Sequence, residues 1–316
     1  MTTALGIFDR YPFNSPWLRH LVLTYGLPVW FGINTLWALA YQARDTSLLY
    51  FDARLYLDAT DVWLNGGNPW SVDLAGNFFA APPTSMLPLI PFALLPRDLG
   101  VALIAGLVIG GSILAIRLLK LPWWWIAFPP LVQCMLSANV HGLVLPLILI
   151  GAGPIAAAFK AYAVLPLVIL GRWRALLITA AGLIATIPFL PWSTYLADFW
   201  AINARLEEQT HFALTTPILV VAIPFALVAM WVVGRERAAW LSVPALWPSQ
   251  QYYYGSIAMG ARSGLAAAIV ALPVNGSGLI ALFVLALVEW HRRRSGSTDR
   301  TFGAVTPRTG SVDSLP

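Results

Sequence analysis

Residues 99–116 read LGVALIAGLVIGGSILAI, an apolar stretch without a formal charge. A helix needs about 20 apolar residues to cross roughly 30 Å of hydrocarbon, so this stretch is a membrane-span candidate. Stretches 20–43, 121–159, 175–197, 212–234, 238–261 and 263–288 are likewise free of formal charge. Across 316 residues, 59% are hydrophobic and 10% charged, with mean hydropathy +0.72; a soluble domain carries about 25% charged residues. The expected fold is an all-α polytopic membrane protein, a single bundle of about eight to ten transmembrane helices with a large first extracytoplasmic loop.

The basic residues sit at the ends of these stretches: Arg10/Arg19, Arg172/Arg174, Arg235/Arg237 and Arg292/Arg293/Arg294. That placement fits cytoplasmic flanks better than a nucleic-acid surface, despite the net charge of +5. The single cysteine, Cys134, excludes a disulfide framework and a cysteine zinc site. No His-Glu-x-x-His spacing is present, and no metal is expected. The first apolar stretch is too long for a cleavable signal and lacks a clear small-residue cleavage site.

Along the chain, residues 1–19 form a short lead and the first span covers about 21–43. The segment 44–83 is the first extracytoplasmic loop. Helices are expected near 99–117, 122–136, 140–152, 155–170, 175–191, 214–233, 238–257 and 263–289, with a second outer loop at 192–213. The membrane domain thus runs over 1–290, and 291–316 reads as a disordered cytoplasmic tail. Counting the apolar piece 84–96 as a short span gives ten crossings with both ends cytoplasmic, but leaves Arg117 and Lys120 on the outer side. Pro129-Pro130, Pro154, Pro166, Pro188/Pro191 and Pro273 break the apolar stretches. Broken helices at membrane depth must be buried in protein or line a cavity.

The first loop carries most of the chemistry. As a helix, residues 52–63 put Asp52, Tyr56, Ala59 and Trp63 on one face and Arg54, Asp58 and Asp61 on the other. Arg54 and Asp58 are i,i+4 partners, whereas Asp52 has no such cation beside it. A carboxylate against apolar and aromatic surface has a raised pKa, which suits a general base; the alternative is an ordinary solvated loop acid. Asn65-Gly66-Gly67-Asn68-Pro69-Trp70 is turn chemistry. Lys160 interrupts a long uncharged stretch, the mark of a functional intramembrane residue unless it snorkels to an interface.

The pattern Asp52-x-x-x-Tyr56-x-x-Ala59, Gly66-Gly67-Asn68-Pro69-Trp70 and Phe79-x-x-Pro82-Pro83, with Pro91 and Pro96, resembles glycosyltransferase family 87. These GT-C fold membrane enzymes use polyprenyl-phosphate sugars and include bacterial mannosyltransferases. Asn139-Val140-His141-Gly142, Phe159-Lys160-Ala161, Gly171-Arg172-Trp173-Arg174 and Trp247-Pro248-Ser249-Gln250-Gln251-Tyr252 are looser matches. The resemblance covers 50–190 and, more weakly, 240–257. It departs from the family where Ala81 replaces a Tyr and Ala161 a Pro, and 200–216 lacks an Asn-Ser stretch.

The resemblance implies an inverting transfer of a sugar, mannose being the first expectation because the family includes mannosyltransferases, to a lipid or glycan hydroxyl at the extracytoplasmic face of the plasma membrane. It implies Asp52 as catalytic base, with a lipid-linked polyprenyl-phosphate sugar as co-substrate and no further cofactor. Membrane lipids, the donor and the acceptor are the expected partners, and nucleic acid is not. The leaving phosphate calls for cations, for which Lys160, Arg205, His211 and Arg262 are candidates; Tyr56, Trp63, Asn68 and Gln250 complete the expected substrate contacts. Arg205 has an alternative role in pairing with Asp198, Glu207 or Glu208. His141 reads as a packing residue. The rival functions are a secondary transporter, a non-catalytic relative or assembly factor, and an intramembrane serine protease. The last is prompted by Gly276-Ser277-Gly278, but Asn275 stands where that motif wants glycine.

Overall fold

The computed structural model describes residues 21–209 and 214–294. The lead 1–19, His211 and tail residues 295–316 lie outside the described residues. The fold is almost wholly helical. A short π-helical turn, Val22–Gly26, leads into α1 (Leu27–Gln42), and α2 (Phe51–Leu64) follows. One antiparallel ribbon, β1 (Asp73–Leu74) and β2 (Asn77–Phe78), pairs Asp73 with Phe78. Then come α3 (Arg97–Leu118), α4 (Pro129–Ser137), α5 (Val144–Leu149), α6 (Gly153–Phe159), α7 (Val164–Ile169) and α8 (Trp173–Thr186). The remainder comprises α9 (Trp192–Ala197), α10 (Phe199–Gln209), α11 (Thr216–Val233), α12 (Arg235–Leu246), α13 (Gly264–Val270) and α14 (Ser277–Arg294).

Two helices, α3 and α11, are long and apolar enough to cross a membrane, and α4 with Val140–Leu149 makes a third if that bent pair is one span. Ile218, Val221, Phe225 and Trp231 on α11 stay exposed, an apolar face that suits lipid contact.

Proline and glycine explain why several apolar stretches are not single helices. Pro129 opens α4 and Pro154 lies in the first turn of α6, where a missing N–H costs nothing. Ala138, in the left-handed region at φ 51°, ends α4, and the chain then bends by 119° into Val140–Leu149. α6 and α7 also fold back on each other, since Gly153 at the start of α6 lies beside Leu167 near the end of α7. The sequence-expected helix at 238–257 is instead α12 followed by a ten-residue 3₁₀ segment, Tyr252–Ala261. The 3₁₀ segment packs closely through Gly255 against Pro130 and Gly260 against Trp240. The single helix expected at 263–289 is broken into α13 and α14, and α14 continues to Arg294, into the segment expected to be tail.

The piece 84–96 is not a span. It holds 3₁₀ turns and one four-residue helix, Ile90–Ala93, about 6 Å of helical rise. The count of ten crossings therefore does not hold: among the described residues two helices, or three with the bent pair, are long and apolar enough to cross. Arg97, at the start of α3, pairs with Asp58 of α2 at 2.5 Å. From there α3 runs 22 residues, about 33 Å, and carries Arg117 and Lys120 to the opposite end of the molecule. Other basic flanks gather at that end. Arg172 donates to the Ile148 carbonyl, Arg235 to Ile169 O at 2.5 Å and Arg293 to Val232 O at 2.8 Å. Each accepting carbonyl lies in the last turn of a helix, where cations satisfy unpaired oxygens and the helix dipole. The exception that the ten-span count created for Arg117 and Lys120 disappears.

At the other end, the two segments expected to be outer loops pack together. Asn68 Nδ2 donates to Asp198 Oδ2 at 3.1 Å, and the Trp70 and Tyr195 rings lie 5.1 Å apart. The second of these segments is not a plain loop; it contains α9 and α10. Trp70 is buried and its indole N–H donates to Ala81 O at 3.1 Å, which pins the turn chemistry of 65–70 against the bundle.

Candidate functional site

Asp52 lies in the first turn of α2. The helix starts from Tyr50, held in the left-handed region at φ 56°, whose N–H donates to Leu136 O of α4 at 2.8 Å. A non-glycine residue there costs about 1–3 kcal/mol, and here it turns the α2 N-terminus onto the end of α4. Two breaks between half-helices converge on the same place. Ser137 and Asn139 come from the α4–α5 break, and Lys160 from the α6–α7 break. Thr84 ties the first segment to the end of α6 by donating to Ala158 O at 3.0 Å.

Asp52 is half-buried and crowded by protein. Burial raises its carboxyl above the ordinary carboxylate value; the Ser137 hydroxyl, the Asn139 amide and the Lys160 charge act in the opposite direction. Lys160 is buried at 8% exposure and acts on Asp52 by charge rather than by a hydrogen bond. Its Nζ lies 5.1 Å from the centre of the Tyr56 ring, within cation–π range. Tyr56 is buried one turn along α2 and meets Phe79 edge-on at 5.2 Å. Its phenol is pushed well up by burial first and then by Tyr254 and Asp52, so it stays protonated.

Behind this layer the 3₁₀ segment supplies Tyr253 and Tyr254, rings 5.0 Å apart. His141 stacks on Tyr254 at 5.2 Å, and its Nδ1 meets the Tyr162 hydroxyl. His141 is thus a satisfied packing residue, as its sequence context indicates. Asn139 caps the 3₁₀ turn Val140–Leu143: its Oδ1 accepts from His141 N at 2.8 Å. Its Nδ2 is fully buried without a hydrogen-bond partner.

Among the sequence-expected site residues, the structure brings Asp52, Tyr56 and Lys160 together. Trp63 does not join them: it lies three turns further along α2, about 16 Å by helical rise, against the core of the first segment. Asn68 is tied to Asp198, which makes it a connector between the two segments. Arg205 lies over the Phe78 ring at 4.7 Å, on the far side of the Phe79 layer from Tyr56, in a crevice with Trp70 and Ile202 too narrow to hold water. Gln250 is buried three residues before Tyr253. Arg262 is an exposed residue at a left-handed turn, φ 51°, between the 3₁₀ segment and α13. His211 is outside the described residues.

The Arg54 charge acts on Asp58, as their i,i+4 spacing implies, and a tertiary partner joins it. Asp58 pairs with Arg97, while Arg54 donates to the Leu49 carbonyl and offers its own carbonyl to Arg97 at 2.6 Å. Burial raises the Asp58 carboxyl, and the adjacent Arg97 opposes the shift. Ser137, Tyr253 and Tyr254 were missed as site residues from sequence. Their signal is polar side chains flanking helix breaks inside apolar stretches. Comparison with protein-family models, with curated proteins and with solved structures gave no match.

Proposed function

We propose that the chain is a multi-pass membrane glycosyltransferase. It moves a sugar, mannose being the first candidate, from a polyprenyl-phosphate donor to a hydroxyl of a lipid or glycan at the extracytoplasmic face of the plasma membrane. The supporting observation is one constellation: a half-buried carboxylate, Asp52, at the Asp58/Arg97 end, faced by a buried Lys160 and bordered by aromatic rings. In this reading α1, α3, α8, α11, the α12-to-α13 stretch and α14 cross the bilayer, because α11 and α14 start together at Leu214/Gly276 and end together at Val232/Arg293. The α4/α5 and α6/α7 pairs enter from the basic, cytoplasmic end and return to it.

The acceptor oxygen attacks the anomeric carbon as the bond from that carbon to the phosphate oxygen breaks. The hydroxyl proton goes to Asp52, whose raised affinity for protons suits a general base. The departing phosphate takes the electron pair, and Lys160 offsets its charge in a water-poor setting. Tyr56 presents a protonated phenol and a ring face beside the same position.

The test is transfer of labelled mannose from polyprenyl-phosphate mannose in membranes bearing the wild-type chain or Asp52→Asn. Transfer by the wild type, lost in the variant, is expected; equal transfer by both removes Asp52 from this role. A second reading, a secondary transporter, draws on the two fold-back pairs whose tips meet at Asp52 and Lys160, because broken helices of this kind form substrate sites in transporters. Solute or proton flux in proteoliposomes that depends on Asp52, without any transfer, would select it.

A further inference from the structure

Asn139 has a committed side and a free side. Its Oδ1 caps the turn after α4 by accepting from His141 N at 2.8 Å, so the amide cannot flip without setting a donor against a donor. That leaves Nδ2 on the opposite side, in a residue 1% exposed. Among the described residues it is the one fully buried side-chain nitrogen or oxygen that lacks a hydrogen-bond partner. Leaving a buried donor unmatched is costly, and native proteins keep few of them without a function. The groups that act on or sense Asp52 are Lys160 from the α6–α7 break, Ser137 and Cys134 from α4, Asn139 from the α4–α5 break, Tyr56 from α2, and Tyr253 and Tyr254 from the 3₁₀ segment. Among these, Asp52 is the carboxylate, and the amide lies near enough to favour its charged form while falling short of hydrogen-bond geometry.

We propose that Asn139 is a positioning residue for Asp52, its free Nδ2 closing onto the carboxylate when that group acts as base. The cap makes this economical: one bond to His141 N fixes the amide plane, and α2 brings the carboxylate to it through the Tyr50–Leu136 bond. Closure by a small rotation of Asp52 aims the carboxylate and favours its charged form, as any donor to an anion does. The inference extends the transferase reading, yet it concerns the ionisation of Asp52 and holds for any chemistry there.

The experiment is an infrared pH titration of the purified full chain in lipid nanodiscs. The Asp52 carboxylic C=O band is identified as the one lost in Asp52→Asn. Asn139→Ser retains a good capping oxygen and removes the amide donor; Asn139→Thr has the same cap chemistry and serves if the serine variant does not fold. The expected result is a midpoint moved to higher pH by about one unit with an unchanged thermal unfolding temperature. An unchanged midpoint in a folded variant overturns the proposal. A moved midpoint without sugar transfer by any form keeps Asn139 in its role and removes the transferase reading. Asp52-dependent transfer with an unmoved midpoint does the reverse.

Discussion

The two ends of the molecule handle charge differently. At the basic end, guanidinium groups reach helix-terminal carbonyls, and Glu289 gathers Arg237, Arg292 and Arg293 at 3.5–3.8 Å. These groups keep part of their surface in solvent, so the arrangement costs little and stabilises modestly. At the Asp52 end, a carboxylate and a lysine are drawn into apolar and aromatic surroundings, and an amide donor is left unmatched. Burying such groups without full compensation is expensive. The first pattern terminates helices; the second gathers perturbed groups in one place, the kind of arrangement the proposed function draws on.

Substitutions at the two ends should therefore separate activity from stability. The largest effect in this series is expected for Lys160→Met. Under the proposed mechanism, loss of the Lys160 cation should lower turnover about 10²–10³-fold. The sign of the accompanying pH effect follows from the base. In the proposed reaction Asp52 works ionised, and the Lys160 charge favours that form. Removing it raises the Asp52 pKa, so the acidic limb of the rate profile moves to higher pH; a limb that stays in place or moves down would break the link between the two residues.

Ser137→Ala should act in the same direction with a smaller magnitude. About tenfold loss is expected on the acidic limb, with recovery as the pH rises, measured as the same rate profile. Arg97→Met removes a pair whose side chains are 39% and 41% exposed, together with the bond to Arg54 O. Destabilisation of about 1 kcal/mol or less is expected by denaturant unfolding, without movement of the acidic limb. Glu289→Gln is expected to have the smallest effect. The amide still accepts from the arginines, so stability should change by a few tenths of a kcal/mol and transfer rates should be equal to wild type. A large activity loss in Glu289→Gln would erase the distinction between the ends.

The sequence made part of this site legible. Helical phasing separated Asp52 and Tyr56 from Arg54 and Asp58, and Lys160 stood out by interrupting an uncharged stretch. Trp63 shares the phase of Asp52 but lies three turns away: periodicity reports a face, not a distance along it. The convergence of Asp52 with Ser137, Asn139, Lys160 and Tyr254 was illegible because contacts between residues so distant in the chain are set by packing. The fold-back of α4/α5 and α6/α7 was only hinted at by proline, since a broken helix and a continuous one share the same apolar composition. Composition likewise misread 84–96 as a short span. Its apolar residues cover α2 and α3 from the side, and three prolines within 87–96 keep it from forming more than one turn of helix.

The central claim is that Asp52 is the base of a sugar-transfer site. Its most direct test is single-turnover transfer from polyprenyl-phosphate mannose in nanodiscs at a pH where wild-type Asp52 is ionised. Wild-type protein is predicted to yield a mannosylated lipid or glycan, and Asp52→Asn to yield at least about 10²–10⁴-fold less while folding normally. Equal yields from the two proteins would contradict the account.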